Sequence, residues 1–341
     1  LCGISGFVGK SKKPALSFQL ITKLFEKLES RGIDAAGFWG VQTGGETAYH
    51  KEPGRSSLFV KKDVWRKIAK FNPNLLLTHA RAASKGVGEP ECNKNNHPFV
   101  NVDKSLALVH NGRIEDYEYK ALKLKYEVHS ECDSEILLRI FENSKMRPWE
   151  HEYADRLGGI SDIFSFVSEG HMAVAIGERC KGKNLLWLFR NCHRPLWVVD
   201  VRDVLGQIFF VSEPRIWEDA VCESGCRYIS RTQKLIELPT EEIWFFIADD
   251  ENIPVLQRYE VEKSEDPKPW LYEKKRRPED YFSDEVGVLE KKIHRLTTSV
   301  MSKLRGAEDS ILASEYHEAV ERLKKIEQYL IEFDESLSDI Q

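Results

Sequence analysis

What the sequence lacks narrows its class first. No apolar run in the 341 residues approaches 18 in length, so no membrane-spanning helix and no membrane partner are expected. No positively charged start leads into an apolar core segment, so no secretory signal is expected. A surplus of positive charge is also missing: 50 Lys and Arg face 55 Asp and Glu, a net charge of −5, which gives no global drive toward nucleic acid or anionic lipid. The seven cysteines, odd in number and scattered, do not form a disulfide framework, and a reducing cytoplasm is the expected compartment. Cys222 and Cys226 make a CxxxC pair, yet no second pair or histidine stands at zinc-ligand spacing, and neither metal nor organic cofactor is expected.

What is present, 41% hydrophobic and 31% charged, suits one large globular domain or two ordinary ones. The chain opens on Leu1-Cys2-Gly3-Ile4-Ser5-Gly6-Phe7. A cysteine at a physical N-terminus would carry a thiol and a free α-amine on one residue. With a pKa of about 7.7–8.0 the amine can take the thiol proton near neutral pH, and the thiolate is the nucleophile. The competing reading makes Cys2 a small apolar residue at the start of a buried strand.

Residues 3–9 read as a buried strand. Leu16, Leu20, Ile21, Leu24, Phe25 and Leu28 fall at helical spacing and predict an amphipathic helix ending near Ser30-Arg31-Gly32. A glycine-punctuated loop, Arg31 to Gly40, leads into a strand. Asn74 to His79 and Leu106 to Val109 are strands ending in polar residues, and 117–125 and 133–143 read as helices. From 160 to 247 short apolar runs alternate with turns, mostly β. Together these predict an α+β or layered domain whose sheets need cover on more than one face.

Four polar clusters lie at strand ends or loop starts: Arg31 to Gly37, Thr78 to Arg81, Asn111-Gly112 and Asp133. Each has a bland reading, as a solvated arginine, an Asn-Gly turn or a helix cap. Jointly they hold the parts that amide hydrolysis of an amino acid requires. An arginine grips a carboxylate bidentately, an aspartate takes an ammonium, and an asparagine amide with the next backbone N–H stabilises an oxyanion.

At this point the chain resembles the class II glutamine amidotransferases, an N-terminal-nucleophile hydrolase family, and most of all the glutaminase domain of glucosamine-6-phosphate synthase. The matching blocks are Cys2-Gly3-Ile4 with Gly6, Leu28 to Gly37, Thr78-His79-Ala80-Arg81, Asn96-His97-Pro98, Leu108 to Glu115 and Cys132 to Glu135. A weaker match runs through Arg190, Pro195-Leu196 and Ser212-Glu213, so the resemblance covers about residues 2–247. It implies a four-layer αββα sandwich. It also implies roles: Cys2 as nucleophile with its α-amine as base, Arg81 on the glutamine carboxylate, Asp133 on its ammonium, and Asn111 with Gly112 as oxyanion hole. Arg31 and Asp34 would build the wall near the nucleophile, and His97 would lie in a loop near the site.

Three departures accompany the resemblance. The family's Thr-Arg-Trp-Ala-Thr-His-Gly stretch appears here as Ala80-Arg81-Ala82-Ala83-Ser84-Lys85-Gly86, which alters the loop that shapes the glutamine pocket. No sugar-isomerase, synthetase or phosphoribosyltransferase domain is recognisable after residue 247, so a separate synthase is expected to receive the ammonia. Leu1 precedes Cys2, and the mechanism expects it to be absent from the mature chain. The alternatives are an N-terminal-nucleophile amidase acting on another γ-glutamyl or amide substrate, and an inactive scaffold. The expected organisation is a glutamine amidotransferase domain over 1–250, a charged, proline-bearing linker over 251–285 and a helical tail over 286–341. In that tail apolar residues from Leu312 to Ile340 repeat every 3.5 residues, the pattern of a coiled coil or helical hairpin that could join two copies.

Overall fold

The computed structural model describes residues 2–83, 88–114, 126–144, 153–167, 170–191, 193–226, 229, 233–240, 242–248 and 254–261. The chain divides into Leu1–Leu271 and Tyr272–Gln341, and every described residue falls in the first unit. The helix expected at 117–125 and the heptad tail lie outside the described residues.

In chain order the elements begin with β1 (Gly3–Val8), α1 (Pro14–Lys27), β2 (Ala35–Val41), β3 (Thr47–Pro53), α2 (Ser56–Phe59), α3 (Asp63–Phe71) and β4 (Leu75–Arg81). Next come β5 (Phe99–Val100), β6 (Leu106–Arg113), α4 (Glu135–Glu142), α5 (Ala154–Phe166), β7 (His171–Cys180) and β8 (Lys183–Arg190). The rest are β9 (Trp197–Val201), α6 (Arg202–Leu205), β10 (Gln207–Val211), α7 (Pro214–Glu223), β11 (Lys234–Glu237), β12 (Glu242–Ala248) and β13 (Val255–Glu260). The strands form two antiparallel sheets, one in the order β11-β9-β10-β1-β4-β2-β3 and the other β13-β12-β8-β7-β6-β5.

Strand alternation divides the apolar residues among three cores. Ile4 and Val8 of β1, Leu75 and Leu77 of β4, and Ala107 and Val109 of β6 fill the space between the sheets. Phe7, Phe38, Leu76 and Phe209 point the other way, onto α1, α2, α3 and α7. Leu108, Val174, Trp187 and Phe245 meet α4 and α5 on the outer face of the second sheet. The layers therefore run helices, sheet, sheet, helices. Each strand covers two cores at once, which is why β1 and β4 are buried along their whole length. In α1 the buried positions Ser17, Leu20, Ile21, Leu24 and Phe25 follow the helical period, and Pro14 at its first turn removes an N–H that would have no partner.

The sheet runs past residue 250. Strand β13 pairs with β12 from Glu242↔Glu260 to Ile247↔Val255, inside the stretch whose composition reads as a linker. Its side chains are half-buried or exposed because it is an edge strand, and one of them, Arg258, lies over the Trp244 ring at 4.2 Å. Charge at an edge protects against further pairing and also disguises the strand. The paired sheet thus extends to Glu260.

Candidate active site

Antiparallel pairing brings remote strand ends to one place. Gly3 pairs with Ala80, Ala35 with Arg81, and Ala35 again with Pro53 on its other side. The start of β1, the end of β4, the start of β2 and the end of β3 thus share one end of the seven-stranded sheet. Alternation from Ile4 and Leu77 places Cys2, His79 and Arg81 on the face turned toward the second sheet. Alternation from Val109 places Asn111 on the facing surface of β6.

Cys2 is half-buried, and its Sγ accepts from the Ala82 N–H at 3.4 Å. Burial pushes the thiol up from its ordinary pKa. The Ala82 N–H and the Arg81 cation pull it back in part, while the Asp133 carboxylate pushes the same way as burial. Such a thiol stays protonated near neutral pH and needs a base to become a nucleophile. Its backbone carbonyl is held from two sides. Arg31 Nε donates to it at 3.0 Å, and Asn111, oriented to satisfy both ends of its carboxamide, donates from Nδ2 at 3.0 Å and accepts from Arg31 Nη2 at 3.2 Å. Arg31 also pairs with Glu213 at the mouth of α7. Beyond that pair lies a cavity of about 460 Å³ lined by Lys27, Ser30, Arg215, Ile216 and Asp219 as well, which does not reach Cys2.

Arg81 is 3% exposed. It donates from Nη1 to Asn96 Oδ1 at 2.9 Å and from Nη2 to the Gly88 carbonyl at 2.8 Å. Asp133, also buried, accepts from the Ile114 N–H at 2.8 Å and from the Ser134 hydroxyl at 3.0 Å, which anchors it beside the end of β6. Asp34 accepts from the Ala83 N–H at 2.7 Å and so fixes the chain just past Arg81. Asn111 and Gly112 lie within β6 rather than in a turn after it, and their register with β7 continues to Arg113↔His171. Gly112 is a place where no side chain fits: an added Cβ would lie 1.8 Å from the His171 carbonyl oxygen and 2.3 Å from His110 Nε2.

His97 takes a different place from the other named residues. It is buried, its ring stacks on His79 with centroids 4.0 Å apart and meets Phe99 edge-on, and neither ring nitrogen has a hydrogen-bond partner. Burial holds its pKa well below the ordinary value, so it is a neutral packing surface in this structure. Two contributors escaped the sequence reading. Lys51 is a polar position on an edge strand, and Asn96 stood in a matching block without an assigned role. Among the described residues no cluster of three or more His, Cys, Asp or Glu side chains could hold a metal ion.

Comparison with known proteins finds likeness in sequence and in fold. Residues 87–217 match the family described as the glutamine amidotransferase domain. The isomerizing glutamine–fructose-6-phosphate aminotransferase of Bacteroides thetaiotaomicron is 31% identical over 153 residues, 43% of this chain and 23% of that protein. Its counterpart from Bacillus anthracis is 28% identical over 267 residues, 77% of this chain and 39% of the other. Glutamine phosphoribosylpyrophosphate amidotransferase from B. subtilis shares the fold, with a TM-score of 0.52 at 18% identity over 76% of this chain and 49% of that one. The chain thus spans less than half the length of these relatives. The matched segment and the likeness in sequence are those of a glutamine amidotransferase domain, and the shared fold agrees with a domain of class II.

Proposed function

We propose that the protein hydrolyses the side-chain amide of L-glutamine and hands the ammonia to a separate synthase. The observation that carries this reading is the convergence of Cys2, Arg31, Arg81, Asn111 and Asp133 at one end of the gap between the sheets, from five separate segments. In this mechanism Arg81 holds the α-carboxylate of glutamine and Asp133 its ammonium. The Cys2 thiol loses its proton to its own α-amine and attacks the amide carbon. The oxyanion takes hydrogen bonds from the Asn111 carboxamide and the Gly112 N–H. The α-ammonium returns its proton to the departing nitrogen, the intermediate collapses with release of ammonia, and water then cleaves the γ-glutamyl thioester to glutamate and the free thiol. The raised pKa of the buried thiol supports a mechanism that needs a base on the same residue.

The α-amine is available only when the Leu1–Cys2 bond is cut, so the active form begins at Cys2. Intact-mass measurement of the purified protein checks this. Cys2→Ala is expected to abolish glutaminase activity with little change in melting temperature, and a glutamine-like electrophile should label Cys2 alone. Retained activity in that variant, or labelling at Cys132 in its place, would sink the assignment. The cytoplasm is the expected site of action. Residues 286–341 are proposed to mediate self-association or synthase binding, to be read by light scattering of the chain with and without them.

A further inference from the structure

We infer that Lys51 is a positioning residue for glutamine binding: it fastens the loop at residues 93–98 whose Asn96 side chain orients the Arg81 guanidinium. The inference rests on the proposed role of Arg81 and deepens it.

The contacts form one chain. Lys51 lies at the inner face of β3, opposite Gly37 of β2. Its Nζ donates to the Asn96 carbonyl at 2.5 Å and to the Pro98 carbonyl at 3.3 Å. The same ammonium sits 4.8 Å from the centre of the Phe99 ring. In return, the Asn93 side chain donates to the Lys51 carbonyl at 2.6 Å, so the loop is tied to β3 at both of its ends. Within the loop the Asn96 carboxamide donates to the Pro90 carbonyl at 2.7 Å and accepts from Arg81 at 2.9 Å. Asn96 therefore has its backbone held by one cation and its side chain held against another. Gly37 makes the arrangement possible: a Cβ there would lie 2.2 Å from the His97 carbonyl oxygen and 2.7 Å from the Lys51 Cβ.

An ammonium enclosed this way is costly unless it is hydrogen-bonded, and the Asn96 and Pro98 carbonyls meet that need. Burial lowers its pKa to about 8. Cys132 and Glu135, from the segment that carries Asp133, raise it, and Arg81, from β4, lowers it. His79 and His97 also feel the Lys51 charge and are themselves kept neutral by burial. His50 and Glu52 alternate to the other face of β3. The Lys51 charge thus lies among the groups that flank the substrate, without touching the reacting atoms.

Two consequences separate positioning from plain stability. Loss of the Lys51 charge above about pH 8 loosens the loop and raises the KM for glutamine. Over the same range the fold gains stability, because the unfolded lysine still carries a proton up to about pH 10.4 that the native one has released. Binding and stability should therefore move in opposite directions.

The test uses the full chain with Cys2 exposed, as wild type, Lys51→Met and Lys51→Arg. Glutaminase kinetics are measured from about pH 6.5 to 9.5, with hydrogen exchange of residues 93–98. For Lys51→Met the expectation is a KM about tenfold higher near pH 7, with kcat within about threefold, and faster exchange in the loop. Lys51→Arg, which keeps its charge, should lie near the wild-type KM at neutral pH and lose the alkaline rise. An unchanged KM and unchanged loop exchange in Lys51→Met would overturn the inference. Should that variant fail to fold, a wild-type alkaline rise persisting in Lys51→Arg overturns it equally. A wild type with no glutaminase activity at any pH would instead refute glutamine hydrolysis, leaving loop exchange to judge Lys51.

Discussion

Asn111→Ala offers a test in which structure and chemistry can be read separately. The side chain is fully buried and makes two hydrogen bonds, to the Cys2 carbonyl and to Arg31. Truncation removes both, at roughly 1 kcal/mol net apiece, so stability should fall by about 2 kcal/mol and the melting temperature by about 4–8 °C. The Cys2 carbonyl keeps its bond from Arg31 Nε, which limits the damage to the start of β1. The catalytic loss is a separate quantity. One missing oxyanion donor should lower kcat about 10²–10³-fold, equivalent to about 2.7–4 kcal/mol of transition-state stabilisation, with KM nearly unchanged. A glutaminase assay and a thermal melt measure the two effects. A third measurement isolates the cause: alkylation of Cys2 by iodoacetamide proceeds by displacement at carbon and forms no oxyanion. Its rate should change by less than about threefold while hydrolysis falls by orders of magnitude. A kcat within threefold of wild type despite the lower melting temperature would reduce Asn111 to a strut. Equal losses in alkylation and hydrolysis would mean that the substitution disturbs the nucleophile itself.

Other expectations follow from the same geometry. Arg81→Lys keeps the charge but loses the planar fork that spans Asn96 and Gly88, so the KM for glutamine should rise about tenfold or more with a smaller change in kcat; a kcat effect alone would refute the carboxylate role. Gly112→Ala forces a methyl group against the His171 carbonyl, and should cost about 1–3 kcal/mol or more by separating β6 from β7; wild-type melting and activity would contradict that packing. Acid should destabilise the fold through its buried imidazoles. Burial pushes His79 down to about 3 while the unfolded histidine titrates near 6.5, so its contribution is complete above about pH 6.5 and is lost as the pH falls toward 3. Unfolding free energies from urea titrations of wild type and His79→Gln between about pH 6.5 and 4.5 should differ in slope by up to about 1.4 kcal/mol per pH unit, and parallel slopes would refute the assignment.

Much of the fold was legible because its central strands and first helix obey simple periods. Leu20, Ile21, Leu24 and Phe25 repeat as a helix must, and β4 and β6 are apolar runs buried on both faces. The site was legible through motif order, since Arg31, Arg81, Asn111 and Asp133 stand near element ends that only pairing can bring together. Periodicity fails at the edges. In β3, Thr47-Ala48-Tyr49-His50-Lys51 shows no apolar alternation, because its inward face carries an aromatic residue and an ammonium with its own carbonyl partners. A lysine is expected to face solvent, and only the fold reveals that Lys51 turns inward. Asn111-Gly112 misleads in the opposite direction: local preference favours a turn, while eight residues of pairing with β7 keep β6 straight. His97 is expected in a loop near the site, and its stacking on His79 depends on loop geometry that no spacing rule encodes.

The position of β1 within its sheet has a consequence for synthesis. The strand lies between β4 and β10, and its neighbour on one side, Gln207–Val211, is encoded about two hundred residues later. At a ribosomal rate of about 5–20 residues per second, roughly 10–40 s separate the emergence of Cys2 from that of the strand that covers β1. Throughout that interval β1 has one open edge, along which its backbone N–H and C=O groups lack their β10 partners. When β10 docks, the Ile4 N–H and carbonyl close onto Ser212 and the edge disappears. The strand that begins at Gly3 is thus enclosed only after about two hundred further residues have been made.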